Sequence, residues 1–443
     1  MTDDAVIVLP GLMGSELVDT ESGRTVWGRS DPRWYVRAWT DGPALDALRV
    51  TEDERAGRAG RITPTRLLRF PAFAPGLRGV EPYSDLTARL RLATHPDAVL
   101  GFPYDWRLSI EHNARRLAVT AERHLAQWRA RAGGPDARLI LVAHSAGGLV
   151  ARYFTEVLGG AAIVRAVVSL GTPFSGAVRV LSVIGDGAGL PTPQARVRAL
   201  LSTMPGVHDL LPAYHCVDEG ETVRRLTIGD IENIGGDGEL ASEAFARREK
   251  VTAAAGVADF WPLVGVHQDT PQSVVFVNGV ALEREYTCDT DEYGKVRRVD
   301  RKGDGTVVPA AATPSETRPW RIPQTHGALA ARVEGITHAS AAATHTERVP
   351  TAANESGVGL RVSDTVTAGT DFRIEIAGAA TPDGVECLIS EAATKRAIAK
   401  VHPVRKDGLL VGSAWLRTEG LYRIEVKAGA RSAVTEIVMV SRG

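Results

Sequence analysis

Ser145 stands in the stretch Leu-Val-Ala-His-Ser-Ala-Gly-Gly-Leu-Val, residues 141–150. A serine hydroxyl becomes a nucleophile only when a base takes its proton and a carboxylate orients that base. Downstream, Asp304 lies between two glycines in Lys-Gly-Asp-Gly-Thr, and four histidines follow it: His326, His338, His345 and His402. Serine, then aspartate, then histidine is the chain order used when the nucleophile sits on a strand-to-helix elbow. Each residue also has a plainer explanation. A serine at such a corner can simply cap the helix, and an aspartate between glycines is ordinary turn chemistry.

The elements around Ser145 favour the chemical explanation. Residues 137–143, Ala-Arg-Leu-Ile-Leu-Val-Ala, form an apolar, β-prone run bounded upstream by Gly133, Gly134 and Pro135. That pattern predicts a buried parallel strand. In residues 147–158 the side chains of Leu149, Val150, Tyr153, Phe154, Val157 and Leu158 recur at helical spacing, and Gly159 and Gly160 stop the run. A nucleophile elbow is a tight, strained turn that needs small residues two before and two after the serine. Ala143 and Gly147 occupy those places. The helix N-terminus behind the serine also favours developing negative charge.

Among the histidines, His338 falls in Val-Glu-Gly-Ile-Thr-His-Ala-Ser, in a loop expected to enter a small-residue segment. His326, in Thr-His-Gly-Ala-Leu, is its rival. His326 and His345 read otherwise as solvent-facing loop residues, and His402 falls in a different part of the chain.

Composition sets the frame. The 443 residues exceed one ordinary domain, so two are expected. Hydrophobic residues make up 44% and charged residues 24%, the balance of a soluble globular protein. The formal net charge of −1 gives no electrostatic footprint for nucleic acid, and no nucleic-acid partner is expected. No apolar run approaches the roughly 20 residues of a membrane span. Cys216, Cys288 and Cys387 are scattered, which argues against a disulfide framework or a zinc site. No cofactor or metal is expected. The acidic opening Met-Thr-Asp-Asp runs straight into a strand without a secretory-signal pattern, so a cytoplasmic location is the expectation. Frequent Arg, Ala and Gly suggest a GC-rich bacterial genome.

To about residue 345 strands and helices alternate. Strands are expected at 5–9, 97–101, 137–143, 163–170 and 273–278, and helices at 83–93, 111–131 and 147–158. This rhythm argues for an α/β fold with a largely parallel sheet covered on both faces. Cap segments are expected at about 20–75 and 179–260, the first irregular and the second mostly helical with breaks. The first carries Trp27, Trp34 and Trp39, which are candidates for a substrate-contacting lid or for a cap packed on the core. After about residue 350 the pattern changes. Phe372, Ile374 and Ile376 alternate with polar residues, as do Tyr422, Ile424 and Val426. About seven short runs predict a C-terminal β-sandwich of immunoglobulin-like type over 351–443, following an α/β domain over 1–350, with the boundary in Thr351–Gly357. No chemistry is visible in the sandwich, and a binding or packing module is the expected role.

Six motifs, in order, carry a family resemblance: Val-Ile-Val-Leu-Pro-Gly-Leu-Met-Gly-Ser-Glu-Leu at 6–17, Pro-Tyr-Asp-Trp-Arg-Leu-Ser at 103–109, Ala-His-Ser-Ala-Gly-Gly at 143–148, Ser-Leu-Gly-Thr-Pro-Phe-Ser-Gly at 169–176, Gly-Asp-Gly-Thr-Val at 303–307 and Gly-Ile-Thr-His at 335–338. Together with Thr-Met-Pro-Gly-Val-His-Asp-Leu-Leu-Pro at 203–212, they resemble the lecithin:cholesterol acyltransferase family, which includes lysosomal phospholipase and phospholipid:diacylglycerol acyltransferases. The resemblance implies an α/β-hydrolase fold with cap insertions and a triad of Ser145, Asp304 and His338. It also implies an oxyanion hole made by the backbone N–H groups of Leu12 and Ala146. Asp105, Trp106 and Arg107 match a motif read as structural support below the site. Ala143 replaces the glycine of the mammalian elbow, and the appended β-domain is outside the family pattern.

The function implied is a serine hydrolase or acyltransferase that works through an acyl-serine on ester substrates, lipid or phospholipid esters first. The same chemistry on a small-molecule or peptide (thio)ester is the alternative, and a non-catalytic interaction protein on a hydrolase scaffold is the third reading. Expected partners are a lipid or small ester substrate, a membrane surface touched transiently, and a protein bound through the C-terminal domain.

Overall fold

The computed structural model describes residues 3–40, 43–58, 60–185, 194–254, 256, 258–344, 357–429 and 432–442. His345 and residues 351–356 of the expected domain boundary lie outside the described residues, as does 186–193 within the second cap segment.

Six strands form the central sheet: β1 (Ala5–Leu9), β2 (Val99–Gly101), β3 (Leu139–His144), β4 (Val164–Leu170), β5 (Phe260–Gly265) and β6 (Trp320–Ile322). Their spatial order is β6-β5-β4-β3-β1-β2, and every neighbouring pair is parallel. β1 and β3 are buried along their whole length, which explains why both read as unbroken apolar runs rather than alternating ones. Helices that flank the sheet include α1 (Ser84–Ala93), α2 (Ile110–Trp128) and α3 (Ala146–Glu156). The Ser109 hydroxyl caps α2, accepting from His112 N–H at 3.2 Å.

One expectation needs correction, and one open alternative is decided. The strand at 273–278 exists as Ser273–Val277, but it lies in a separate four-stranded sheet with His215–Asp218, Val223–Arg225 and Val280–Arg284. The strand that continues the parallel sheet is β5, at the end of the segment expected to be helical. Its Trp-Pro pair obscured a strand whose residues from Pro262 to Gly265 are all buried. The aromatic segment 27–39 is core rather than lid. Trp27 and Trp39 are each 1% exposed and Trp34 is 9% exposed. Trp27 packs edge-on against Tyr35 and Trp106, each at 5.3 Å between ring centroids. Its indole N–H donates to the Met13 carbonyl at 2.9 Å, and that of Trp39 donates to the Phe73 carbonyl at 3.0 Å. Burial with a satisfied N–H is how a core holds tryptophan.

The C-terminal region folds as two facing sheets. One orders Gly359–Val362, Asp371–Ala377, Leu409–Trp415 and Val404–Lys406. The other orders Thr365–Thr367, Val434–Ser441, Gly420–Ala428, Val385–Glu391 and Ala397–Val401. Their inner faces share an apolar core that includes Phe372, Ile374, Ile376, Tyr422, Ile424 and Val426. The alternation read in the sequence is therefore the inside of a β-sandwich. Its second sheet is also covered from outside: Leu421, Ile437 and Met439 join the hydrophobic core of the α/β domain. Every residue of Val434–Ser441 is buried.

Candidate active site

Ser145 follows β3 directly and precedes the first residue of α3, with φ 50° and ψ −126°. A non-glycine residue takes such a backbone only when its surroundings impose it. Here they do. The Ser145 N–H donates to the Leu170 carbonyl at 2.9 Å, and its own carbonyl accepts from Gly148 N–H at 2.9 Å. The corner is too tight for side chains: a Cβ on Gly147 would lie 2.4 Å from the Pro10 carbonyl oxygen, and one on Gly148 would lie 1.9 Å from Thr172 Oγ1.

His326 Nε2 lies 2.8 Å from Ser145 Oγ, and its Nδ1 lies 2.7 Å from Asp304 Oδ2. With Asp304 ionised, Nδ1 carries the proton and Nε2 is left to accept from the serine hydroxyl. Asp304 is 1% exposed. Its other oxygen accepts from the backbone N–H groups of Thr306 at 2.9 Å and Val307 at 2.7 Å, so the turn that displays the carboxylate also holds it. The His326 N–H donates to the Asp304 carbonyl at 2.8 Å, a backbone link between acid and base.

His338 is therefore not the base in this arrangement. It lies inside α4 (Val333–Ala343), with Nε2 3.1 Å from the Trp261 carbonyl and its ring 4.9 Å from the Trp320 ring. Trp261 is near the start of β5 and Trp320 opens β6, so His338 sits at the N-terminal ends of the parallel strands. Ser145 and His326 follow β3 and β6 at the opposite, C-terminal ends, where open parallel sheets gather their chemistry. The Gly-Ile-Thr-His motif pointed to the helix after the base loop. The signal for His326 is its position only four residues beyond the last strand of the sheet.

Behind the serine runs a directed chain of hydrogen bonds that the sequence did not announce. His144 Nε2 is 2.9 Å from the His326 carbonyl, so it must carry the proton and donate. His144 Nδ1 is then an acceptor, 2.8 Å from the Tyr83 hydroxyl, which donates to it. The Tyr83 oxygen in turn accepts from Gly11 N–H at 2.9 Å. Burial, reinforced by the neighbouring His326, lowers the His144 pKa to about 3 and keeps that ring neutral. The chain ties the loop after β1 to the backbone of the base. Leu12 on that loop and Ala146 line one small cavity of about 10 Å³ with Tyr104, Ile110 and Leu149. Ala146 opens α3, so its N–H belongs to the first turn, whose amides have no intrahelical acceptor.

Arg107 has no exposure. Its Nε and Nη2 donate to the two oxygens of Asp105 at 3.0 and 2.7 Å. Nη2 also donates to Glu54 at 2.7 Å, and the Arg107 carbonyl accepts from Gly206 N–H at 3.0 Å. The Asp-Trp-Arg motif thus joins both cap segments to the sheet.

A parallel sheet, a strained serine after its third strand, and an acid and histidine beyond later strands define an α/β-hydrolase. The family model for lecithin:cholesterol acyltransferase matches residues 82–228, the part that contains the elbow. The chain is 34% identical over 97 residues to the human protein "Lysosomal phospholipase A and acyltransferase", a match that spans 21% of this chain and 23% of that protein's length. Among solved structures, the mature form of the Bacillus licheniformis lipase BlEst2 is 12% identical with a TM-score of 0.32, covering 74% of this chain and 86% of that one. The propeptide form of the same lipase is 11% identical with a TM-score of 0.35, covering 99% and 93%.

Proposed function

We propose that this protein is a serine hydrolase or acyltransferase that forms an acyl-serine on Ser145 from ester substrates, lipid or phospholipid esters first. The observation that carries the proposal is the unbroken contact series from Ser145 Oγ to His326 at 2.8 Å and from His326 to Asp304 at 2.7 Å.

In this reading Ser145 Oγ attacks the ester carbonyl carbon while His326 Nε2 takes the hydroxyl proton. Asp304 holds the Nδ1–H and stabilises the imidazolium that results. The carbonyl oxygen becomes an oxyanion, and the N–H groups of Leu12 and Ala146 stabilise it, each worth about 3–4 kcal/mol in such sites. Collapse expels the alcohol, which leaves with the proton from His326. Water or a second alcohol then gives its proton to His326, attacks the acyl-serine and frees the serine. The apolar wall of Leu12, Ile110 and Leu149 beside the serine supports an acyl chain as the group transferred. Its present volume matches a single water, so the chain enters by displacing side chains.

A fluorophosphonate probe tests the proposal. It should label the wild type and fail to label Ser145→Ala, and equal labelling of both would place the nucleophile elsewhere. A panel of phospholipid, neutral lipid and short-chain esters, each run with and without an alcohol acceptor, then separates the substrate class and hydrolysis from transfer.

A further inference from the structure

We infer that the C-terminal β-sandwich is a positioning device for the acid and the base, acting through two buried glutamines. The inference rests on the triad reading of Ser145, His326 and Asp304.

Gln324 and Thr325 immediately precede His326, and each is 2% exposed. The Gln324 side-chain amide reads the sandwich as a neighbouring strand would. Its Nε2 donates to the Ala433 carbonyl at 2.9 Å, and its Oε1 accepts from Thr435 N–H at 3.1 Å. That same oxygen accepts from Thr325 N–H at 2.9 Å, which ties the base loop's own backbone into the contact. The Thr325 hydroxyl donates to the Thr435 carbonyl, and Arg332, just past the base loop, donates to the Thr435 hydroxyl.

Gln268, 1% exposed, does the equivalent for the acid. Its side chain donates to the Val358 carbonyl at 3.1 Å and accepts from Leu360 N–H at 2.9 Å. Its backbone exchanges two hydrogen bonds with Gly303, the residue before Asp304, each at 2.9 Å. A third tie closes the ring. The Glu81 N–H donates to the Gly327 carbonyl at 3.1 Å, one residue past the base. The Glu81 carboxylate accepts two bonds from buried Arg423 of the sandwich, both at 2.6 Å.

A two-bond amide contact fixes direction as well as distance, because both donor and acceptor must align. Here one such contact lies two residues from the base, and the other is bonded to the residue before the acid. Neither residue of the catalytic pair lies on a strand of the central sheet. The sandwich supplies the rigidity that the sheet does not.

The test compares full-length variants by the rate of fluorophosphonate labelling of Ser145 across pH, by kcat and KM on a short-chain p-nitrophenyl ester, and by thermal unfolding. Gln324→Ala and Thr325→Val should label about tenfold to a hundredfold more slowly while folded, the scale of a displaced catalytic group. The midpoint of their labelling-versus-pH curve should move, and kcat should fall with KM held. Thr325→Ser, which keeps the hydroxyl, should recover a rate within about twofold of wild type on the same scale. Lys395→Ala removes an exposed interdomain pair, 3.6 Å from Asp85 and outside both glutamine contacts, and should leave the rate unchanged. Wild-type labelling rates and pH profiles in both Gln324→Ala and Thr325→Val would overturn the inference while leaving the triad intact. Loss of labelling in the wild type itself would overturn the triad reading beneath it.

Discussion

The nucleophile elbow and the base loop perform one reaction but are held in opposite ways. The elbow is local: β3, Ser145 and α3 are contiguous, and its strain is maintained by bonds to the adjacent strand and by glycines that let neighbouring segments approach. The base loop is distant in sequence from the serine and is held by Tyr83 and His144 on one side and by the sandwich on the other. A local device can be read from a motif. A loop held by distant partners carries no motif of its own, and its catalytic histidine can be confused with one in the helix that follows.

The largest expected effect tests that confusion directly. Ser145→Ala and His326→Ala should each lose on the order of a millionfold in turnover, the usual cost of a triad member acting within a unit. His338→Ala should keep most turnover and lose stability instead, since it vacates a packed site between Trp261 and Trp320. Steady-state kinetics on whichever ester the panel selects decides the matter, and a dead, folded His338→Ala beside an active His326→Ala would reverse the assignment.

Next in size is the buried charge cluster that joins the cap segments. Arg107→Ala leaves Asp105 and Glu54 buried without their cation, and removal of one partner of a buried pair costs about 3–5 kcal/mol. Denaturant unfolding should show that loss. A loss under about 1 kcal/mol, the size of a surface pair, would mean that water reaches the carboxylates.

Tyr83→Phe probes the chain that joins the two regions. It leaves Gly11 N–H and His144 Nδ1 without their partner, and each buried group left so costs about 1–3 kcal/mol. Stability should fall by that order, and probe labelling should slow because the loop carrying Leu12 and the backbone of His326 lose their common anchor. Unchanged labelling in a destabilised variant would make the chain purely structural.

The most gradual effect is spread over pH. His144 is held neutral in the folded protein, with its pKa lowered to about 3 by burial, whereas an unfolded histidine titrates near ~6.5. Above ~6.5 both states are neutral and the group has no effect. Below that the unfolded chain binds the extra proton, so stability falls as pH drops from ~6.5 toward the folded value, by up to about 1.4 kcal/mol per pH unit. His124 and His208, both also lowered by burial, act in the same direction. Unfolding free energies between pH 7 and 4 should show the slope, and His144→Asn should reduce it.

Much of the architecture was legible because the signals were periodic. The buried runs of β1, β3 and β4, the helical spacing of α2 and α3, and the alternation around Phe372 and Tyr422 each announce one element from its own residues. β5 was not legible, since a short strand with an internal proline after a long helix lacks a distinct pattern. Nor was the burial of Trp27, Trp34 and Trp39, because an aromatic cluster reads alike as lid or as core until its neighbours are known.

By itself the sequence determined the elbow, the order of serine, acid and histidine, and the change from α/β to β grammar near residue 350. The elbow and the change of grammar are properties of contiguous residues, because steric limits on a tight turn or a pleated strand act on neighbours in the chain, and the order is read directly along it. Only the tertiary structure decided which histidine meets Ser145 and what holds it there. That choice depends on which end of the parallel sheet a residue reaches. It depends equally on contacts such as Gln324 with Ala433 and Thr435, formed across more than a hundred residues, where no local preference acts and only the packed fold brings donor to acceptor.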